Sequence, residues 1–262
     1  MAMYESFAAV YDRLMDNVPY DEWTQELHRI LLEHDIPDGL VLDLGCGTGQ
    51  VTRRLQAMGY DMIGADASPD MLQVAQEAEE RRRDAETQEA SLHPVLYLCQ
   101  DMRQFELYGT VRAGVSVCDC LNYILEEDDL LQVFRLVSNY LDPDGIFLFD
   151  LNTAFYYEHE LGENTFADVR DDCAMIWENG YDPGSGINEY DLTLFVLREY
   201  GLYGRFQETH RERAWDIGKI SDLLGRAGLT AVSFYDGYSG QPAREDSRRV
   251  LAAAVHRQCR AD

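Results

Sequence analysis

The run Asp43-Leu44-Gly45-Cys46-Gly47-Thr48-Gly49 puts glycine at every second position, directly after the apolar segment Gly39-Leu40-Val41-Leu42. Glycine admits a positive φ and lets a ligand come close to the backbone, so such a loop can cradle a bound small molecule. A dinucleotide site would use Gly-x-Gly-x-x-Gly with a pyrophosphate on the following helix N-terminus. Here Gln50 holds the sixth position and the third glycine comes one residue early. The acid at Asp43 suits a cationic ligand, an ammonium or a sulfonium, better than a pyrophosphate. Asp66, Asp101 and Asp119 each follow a later apolar run. Asp66 could instead cap the next helix, although Ser68 already fills that role, and Asp101 could be an ordinary turn residue. Far downstream stand His210, Arg211, Arg213 and Trp215. His210 is the candidate base or polar substrate contact, and a surface histidine on an edge strand is an equal reading.

These residues need elements to hold them. Strands are expected at 39–44, 60–66, 95–99, 111–118 and 146–149, with helices at 50–58, from Pro69 onward, and at 128–141. Ser68-Pro69 reads as an N-cap followed by proline in the first turn. Continuous apolar strands separated by helices predict a parallel sheet covered on both faces, and ligands of such sheets bind outside the carboxyl ends of the strands. After Asn152 the pattern changes to long alternating strands at 165–178, 187–200 and 202–213, with a turn at Tyr181–Gly186. A helix at 216–227, ended by Gly228, and strands at 232–235 and 250–255 complete the chain. The fold expected is α/β: a Rossmann-like, doubly wound, seven-stranded and mostly parallel sheet with an antiparallel β insertion after the fifth strand. Residues 1–152 and 214–262 would form the core, with a helical cover over 1–36, and residues 153–213 a lid on the substrate side.

The loop resembles the first motif of the class I S-adenosylmethionine-dependent methyltransferases, and the resemblance runs in register through residues 38–152. It implies that Asp43, Gly45, Cys46, Gly47 and Gly49 hold the cofactor, that Asp66 with Ala67 meets its ribose, and that Asp101-Met102 meets its adenine. Asp119, Leu121 and Asn122 fall at the family's fourth motif. The opening Tyr4 to Met15 is similar to small bacterial methyltransferases related to sugar-amine and glycine/sarcosine N-methyltransferases. There a tyrosine of an N-terminal helical segment attends the methionine end, which implies Tyr4 or Tyr11 here. Phe7, Val10, Tyr11 and Leu14 also form the apolar stripe of an amphipathic helix. Asn122, Tyr123, His210 and Arg213 are the implied substrate contacts, and no metal is expected. The charged stretch Glu77 to Glu89 departs from that group and bears on the length of its helix.

Composition narrows the acceptor. The net charge of −26 repels phosphate backbones, since nucleic-acid binding depends on Lys and Arg displacing counterions. The one basic run, Arg81-Arg82-Arg83, reads as a solvated helix face. No apolar run reaches the ~18 residues of a membrane helix, the first thirty residues do not read as a signal peptide, and the six cysteines show no metal or disulfide spacing. A cytoplasmic setting is expected. The expected function is transfer of the methyl of S-adenosylmethionine, which leaves as S-adenosylhomocysteine, to an amine or hydroxyl of a small molecule. A non-catalytic S-adenosylmethionine-binding module and an RNA methyltransferase are the alternatives. Acceptor identity and oligomeric state are not encoded in any motif.

Overall fold

A computed structural model describes residues 8–85 and 93–256. The N-terminal cover consists of two helices, α1 (Ala8–Leu14) and α2 (Tyr20–Glu33); Tyr4 lies outside the described residues. The core follows as β1 (Gly39–Leu44), α3 (Gln50–Ala57), β2 (Tyr60–Asp66), α4 (Pro69–Ala85), β3 (Leu96–Cys99), β4 (Val111–Ser116), α5 (Glu127–Tyr140) and β5 (Leu141–Asn152). The insertion is β6 (Thr165–Val169), β7 (Cys173–Asp182), β8 (Ile187–Leu197) and β9 (Tyr203–Arg213). The core resumes with α6 (Ile217–Arg226), β10 (Thr230–Asp236) and β11 (Arg249–Val255).

The main sheet has the order β3-β2-β1-β4-β5-β11-β10. β3, β2, β1, β4 and β5 are mutually parallel, and β11 runs antiparallel to both of its neighbours. Successive strand residues point to opposite faces, which sorts the core into two layers. Val41, Met62, Val115 and Leu148 pack against Leu27, Leu31 and Leu55 of α2 and α3. Leu42, Leu44, Phe147 and Phe149 pack against Phe134 of α5 and Leu223 of α6. The order reverses between β1 and β4, so their carboxyl ends splay apart and leave a crevice there.

Local signals set the boundaries. Ser68 Oγ accepts the Met71 N–H at 3.3 Å, and Asp216 accepts the Lys219 N–H at 3.0 Å, capping α6. The expected strand 165–178 is two strands. The chain reverses at Arg170-Asp171-Asp172, where the Arg170 N–H bonds the Cys173 carbonyl at 2.8 Å, and Thr165–Val169 then pair with Ala174–Glu178. The insertion is therefore a four-stranded antiparallel sheet in the order β6-β7-β8-β9. Residues 142–145 form a bulge inside β5, since Val111 pairs with Leu141 and Ala113 with Ile146. No helix among the described residues is long and apolar enough to cross a membrane.

α1 is wedged between α4 and the antiparallel sheet. Its Ala8, Val10 and Leu14 pack with Met71 of α4 and with Leu192, Leu194 and Val196 of β8. That wedge encloses the crevice at the strand ends.

Candidate functional site

The Gly45 and Cys46 N–H groups both bond the Ala65 carbonyl, at 2.8 and 3.1 Å, which pins the loop after β1 to β2. Gly45 has φ +83°, and a Cβ there would stand 2.7 Å from Cys120 Sγ. Gly47 has φ +52°, and a Cβ there would meet nothing within 4 Å, so the loop opens onto free space at this point. Gly49 leads directly into α3.

Two carboxylates support the loop. Asp43 is 1 % exposed and accepts the Thr52 hydroxyl. Burial, reinforced by the negative Asp66, pushes its pKa up to about 7, against the Thr52 bond. Asp66 accepts the N–H groups of Gly47 and Ser68, each at 2.8 Å. Burial raises its pKa, and the N–H groups of Ser68, Gly47 and Ala67 oppose the rise.

A charged knot closes the ends of β4, β5 and β11. Asp150, fully buried, accepts the N–H groups of Cys118 and Asp119, the Tyr238 hydroxyl at 2.6 Å and Arg249 Nη1 at 2.7 Å. Arg249 Nη2 bonds Asp119 at 2.8 Å, and its guanidinium lies 5.2 Å from the Trp23 ring of α2. Burial works against the Arg249 charge, and Asp150 and Asp119 more than offset it. Asp119 sits at φ +55°, a left-handed conformation that Asp tolerates better than most residues.

Between loop, knot, cover and antiparallel sheet lies a cavity of about 450 Å³. Asp43, Gly45, Cys46, Gly47 and Asp66 form its core side, and Tyr11 and Tyr20 its cover side. Trp177, Tyr190 and Glu212 face these from the insertion. Arg249 is the only basic side chain among the described residues that line it, and two carboxylates already neutralise that charge. A chamber holding Asp43, Asp66, Asp119 and Glu212 therefore fits a cationic ligand, as the charge of a sulfonium or ammonium requires.

Several expected site residues lie beside this lining. Gly49, Ala67, Asp101 and Met102 are not part of it. Asp101 is held by Arg103, which lowers its pKa, and Met102 Cε comes within 3.5 Å of the Cβ position at Gly45. Asn122, expected as a substrate contact, serves the fold as a staple. Fully buried, it donates to the carbonyls of Asn152 and Arg213 at 3.0 and 2.8 Å and accepts the Asn152 N–H at 3.0 Å, fastening β5 to the end of β9. Arg213 lies over the Trp215 ring, 5.1 Å from its centroid, off the cavity wall. His210, 1 % exposed, is also behind the wall, stacked on Tyr190 at 4.8 Å. Tyr123 does line the cavity, and its hydroxyl is 2.8 Å from that of Tyr190 and 3.1 Å from His210 Nδ1.

Sequence reasoning passed over Glu212. It is 3 % exposed and takes the Tyr157 and Tyr190 hydroxyls at 2.6 and 3.3 Å. Burial and then Asp119 push its pKa up to about 8, against the two tyrosine bonds and Arg249. The available signal was alternation: Glu208, His210 and Glu212 are two apart on β9 and share a face, while Arg211 and Arg213 share the other.

Comparison with known proteins agrees with this architecture. Residues 41–145 match the model of a methyltransferase domain. The chain is 36% identical over 230 residues, 87% of its length and 86% of the relative's, to YqeM of Bacillus subtilis (strain 168), which carries a methyltransferase name. It is 24% identical over 201 residues, 66% of its length and 70% of the relative's, to the glycine/sarcosine N-methyltransferase of Halorhodospira halochloris. The crystal structure of an S-adenosylmethionine-dependent methyltransferase from Clostridium acetobutylicum ATCC 824 superposes with a TM-score of 0.84 at 28% identity, covering 97% of this chain and 99% of that one. The family, the strand order and the acid-lined chamber behind the glycine loop agree: the chain belongs to the S-adenosylmethionine-dependent methyltransferases.

Proposed function

We propose that this enzyme methylates an amine or hydroxyl of a small molecule that enters the chamber between the glycine loop and the antiparallel sheet. The observation that carries the reading is that one cavity of about 450 Å³ is lined both by the loop and by Trp177, Tyr190 and Glu212 of the insertion. Cofactor and acceptor can thus share a space that the cover partly roofs. The acidic lining and the net charge of −26 oppose a phosphate backbone. The similarity to a glycine/sarcosine N-methyltransferase supports an amine as one acceptor class. The proposed setting is the cytoplasm, supported by the cysteines among the described residues, which stand as free thiols, the state a reducing compartment maintains.

S-adenosylmethionine, when bound, supplies an electrophilic methyl group on a sulfonium. Gly45, Cys46, Gly47 and Gly49 would cradle it, Asp66 with Ala67 would take its ribose hydroxyls, and Asp101 with Met102 would bound its adenine. Asp43, Asp119 and Tyr11 would surround its charged end. The chain's remaining work is positioning and exclusion of solvent. The test is transfer of tritiated methyl from S-adenosylmethionine to a panel of small amines and alcohols, with bulk tRNA and casein alongside. Label in small products supports the reading, and label confined to a macromolecule defeats it.

A further inference from the structure

Glu212 is not a group of the cofactor loop. It stands on β9, across the cavity, and two tyrosines bond it. Tyr157 and Tyr190 donate to its two oxygens, at 2.6 and 3.3 Å. The Tyr190 hydroxyl lies 2.8 Å from Tyr123, the Tyr123 hydroxyl lies 3.1 Å from His210 Nδ1, and His210 Nε2 lies 3.4 Å from the Glu208 carboxylate. The result is a continuous chain from the cavity wall into the interior of the sheet. Trp177 and Tyr190, with ring centroids 5.0 Å apart, border the same part of the cavity, and such ring faces attract cations.

Resting on the small-molecule reading above, we propose that the acceptor is an amine received as its ammonium ion by Glu212, which takes a proton from it and holds that proton until the methylated product leaves. The acceptor N–H bond breaks, and its proton goes to a Glu212 oxygen. The freed nitrogen lone pair forms the N–C bond to the methyl group, and the electrons of the carbon–sulfur bond stay with sulfur. The proton stays on the Glu212 carboxyl while the methyl is transferred and passes to solvent when the product leaves the cavity, which restores the carboxylate and the Tyr157 and Tyr190 bonds to it. Glu212 is the catalytic residue of this step, and Tyr157, Tyr190, Tyr123 and His210 are positioning residues.

The surroundings match the task. Burial and the negative Asp119 raise the proton affinity of Glu212, Tyr157 and Tyr190 lower it, and Arg249 also faces it; Tyr156 senses its charge from the turn after β5. A carboxyl near 8 lies close enough to an alkylammonium to exchange a proton with it, which is where general bases work best.

The experiment is calorimetric, on the full chain saturated with S-adenosylhomocysteine, with benzylamine and benzyl alcohol as a matched pair at pH 7 to 9. Wild type should prefer the amine by about tenfold or more, as a charge-assisted bond to a buried carboxylate supplies. Glu212→Gln should lose that preference and bind the alcohol unchanged. Tyr190→Phe keeps the carboxylate but removes one donor, so the preference should persist with its onset moved to higher pH. Alcohol bound as tightly as amine, or a preference surviving in Glu212→Gln, overturns the proposal and leaves the small-molecule reading standing. Binding of neither probe by wild type sinks both.

Discussion

The Thr48 hydroxyl, inside the glycine loop, donates to the Asp12 carboxylate of α1 at 2.6 Å. Ion pairs Arg13–Asp172 and Asp16–Arg170 fasten the same segment to the β6–β7 reversal. Cover, loop and insertion are therefore one mechanical unit around the cavity. Cutting the Asp12–Thr48 bond should free the cover without touching the core. Asp12→Ala is expected to weaken S-adenosylmethionine binding by about fivefold, the worth of one hydrogen bond of ~1 kcal/mol. The loss should appear as faster dissociation in stopped-flow measurements, with the unfolding midpoint unchanged.

Asp66 ties the loop to β2 and faces the cavity, so Asp66→Ala removes a loop anchor as well as the proposed ribose contact. Calorimetry should show S-adenosylmethionine and S-adenosylhomocysteine binding to wild type, a loss of about a hundredfold or more in the variant, and no binding of NADH to either. NADH binding in place of the adenosyl ligands would reassign the loop.

Arg249 is the single counter-charge for two acids of the knot, Asp150 fully buried and Asp119 mostly so. Arg249→Met leaves both unpaired and should cost about 3–5 kcal/mol, the range for breaking a buried pair from one side. Urea unfolding would measure it. The cost should shrink markedly when Asp119→Asn and Asp150→Asn accompany the change, and a simple packing role for Arg249 would not give that rescue.

Two cavity carboxyls hold protons more tightly in the folded chain than unfolded: Asp43 at about 7 and Glu212 at about 8. Raised folded values mean that their contribution to stability is complete below the unfolded carboxyl range near pH 4 and is lost as pH climbs through 7 to 8. Ligand-free protein should thus lose urea stability between pH 4 and 8 from this source, and Asp43→Asn with Glu212→Gln should flatten the slope. S-adenosylmethionine, a cation, should bind more tightly as these groups ionise. A wild-type slope identical to the double variant's would contradict the burial argument.

Much of the molecule was legible in the chain. Apolar runs, helical periodicity, the Ser68-Pro69 cap and the alternating glycines are local signals, because backbone conformation responds to residues within a few positions. They located the seven strands, the loop and the acids at the strand ends. The hairpin inside 165–178 escaped because alternation continues across a tight reversal, and only pairing of Thr165–Val169 with Ala174–Glu178 reveals it.

The cavity wall opposite the loop was decided by tertiary structure. Alternation on β9 says that Glu208, His210 and Glu212 share a face, but it does not say which face meets the cavity. Tyr190 covers His210 and leaves Glu212 on the wall. Asn122 turns inward because the carbonyls of Asn152 and Arg213, thirty and ninety-one residues away, both reach it. The proton affinity of Glu212 follows from burial and from Asp119, Tyr157 and Tyr190, which only folding brings together. The sequence by itself determined the fold and the cofactor loop, because those rest on local backbone preference. The tertiary structure decided which polar side chains face the cavity, because burial and charge pairing exist only between segments distant in the chain.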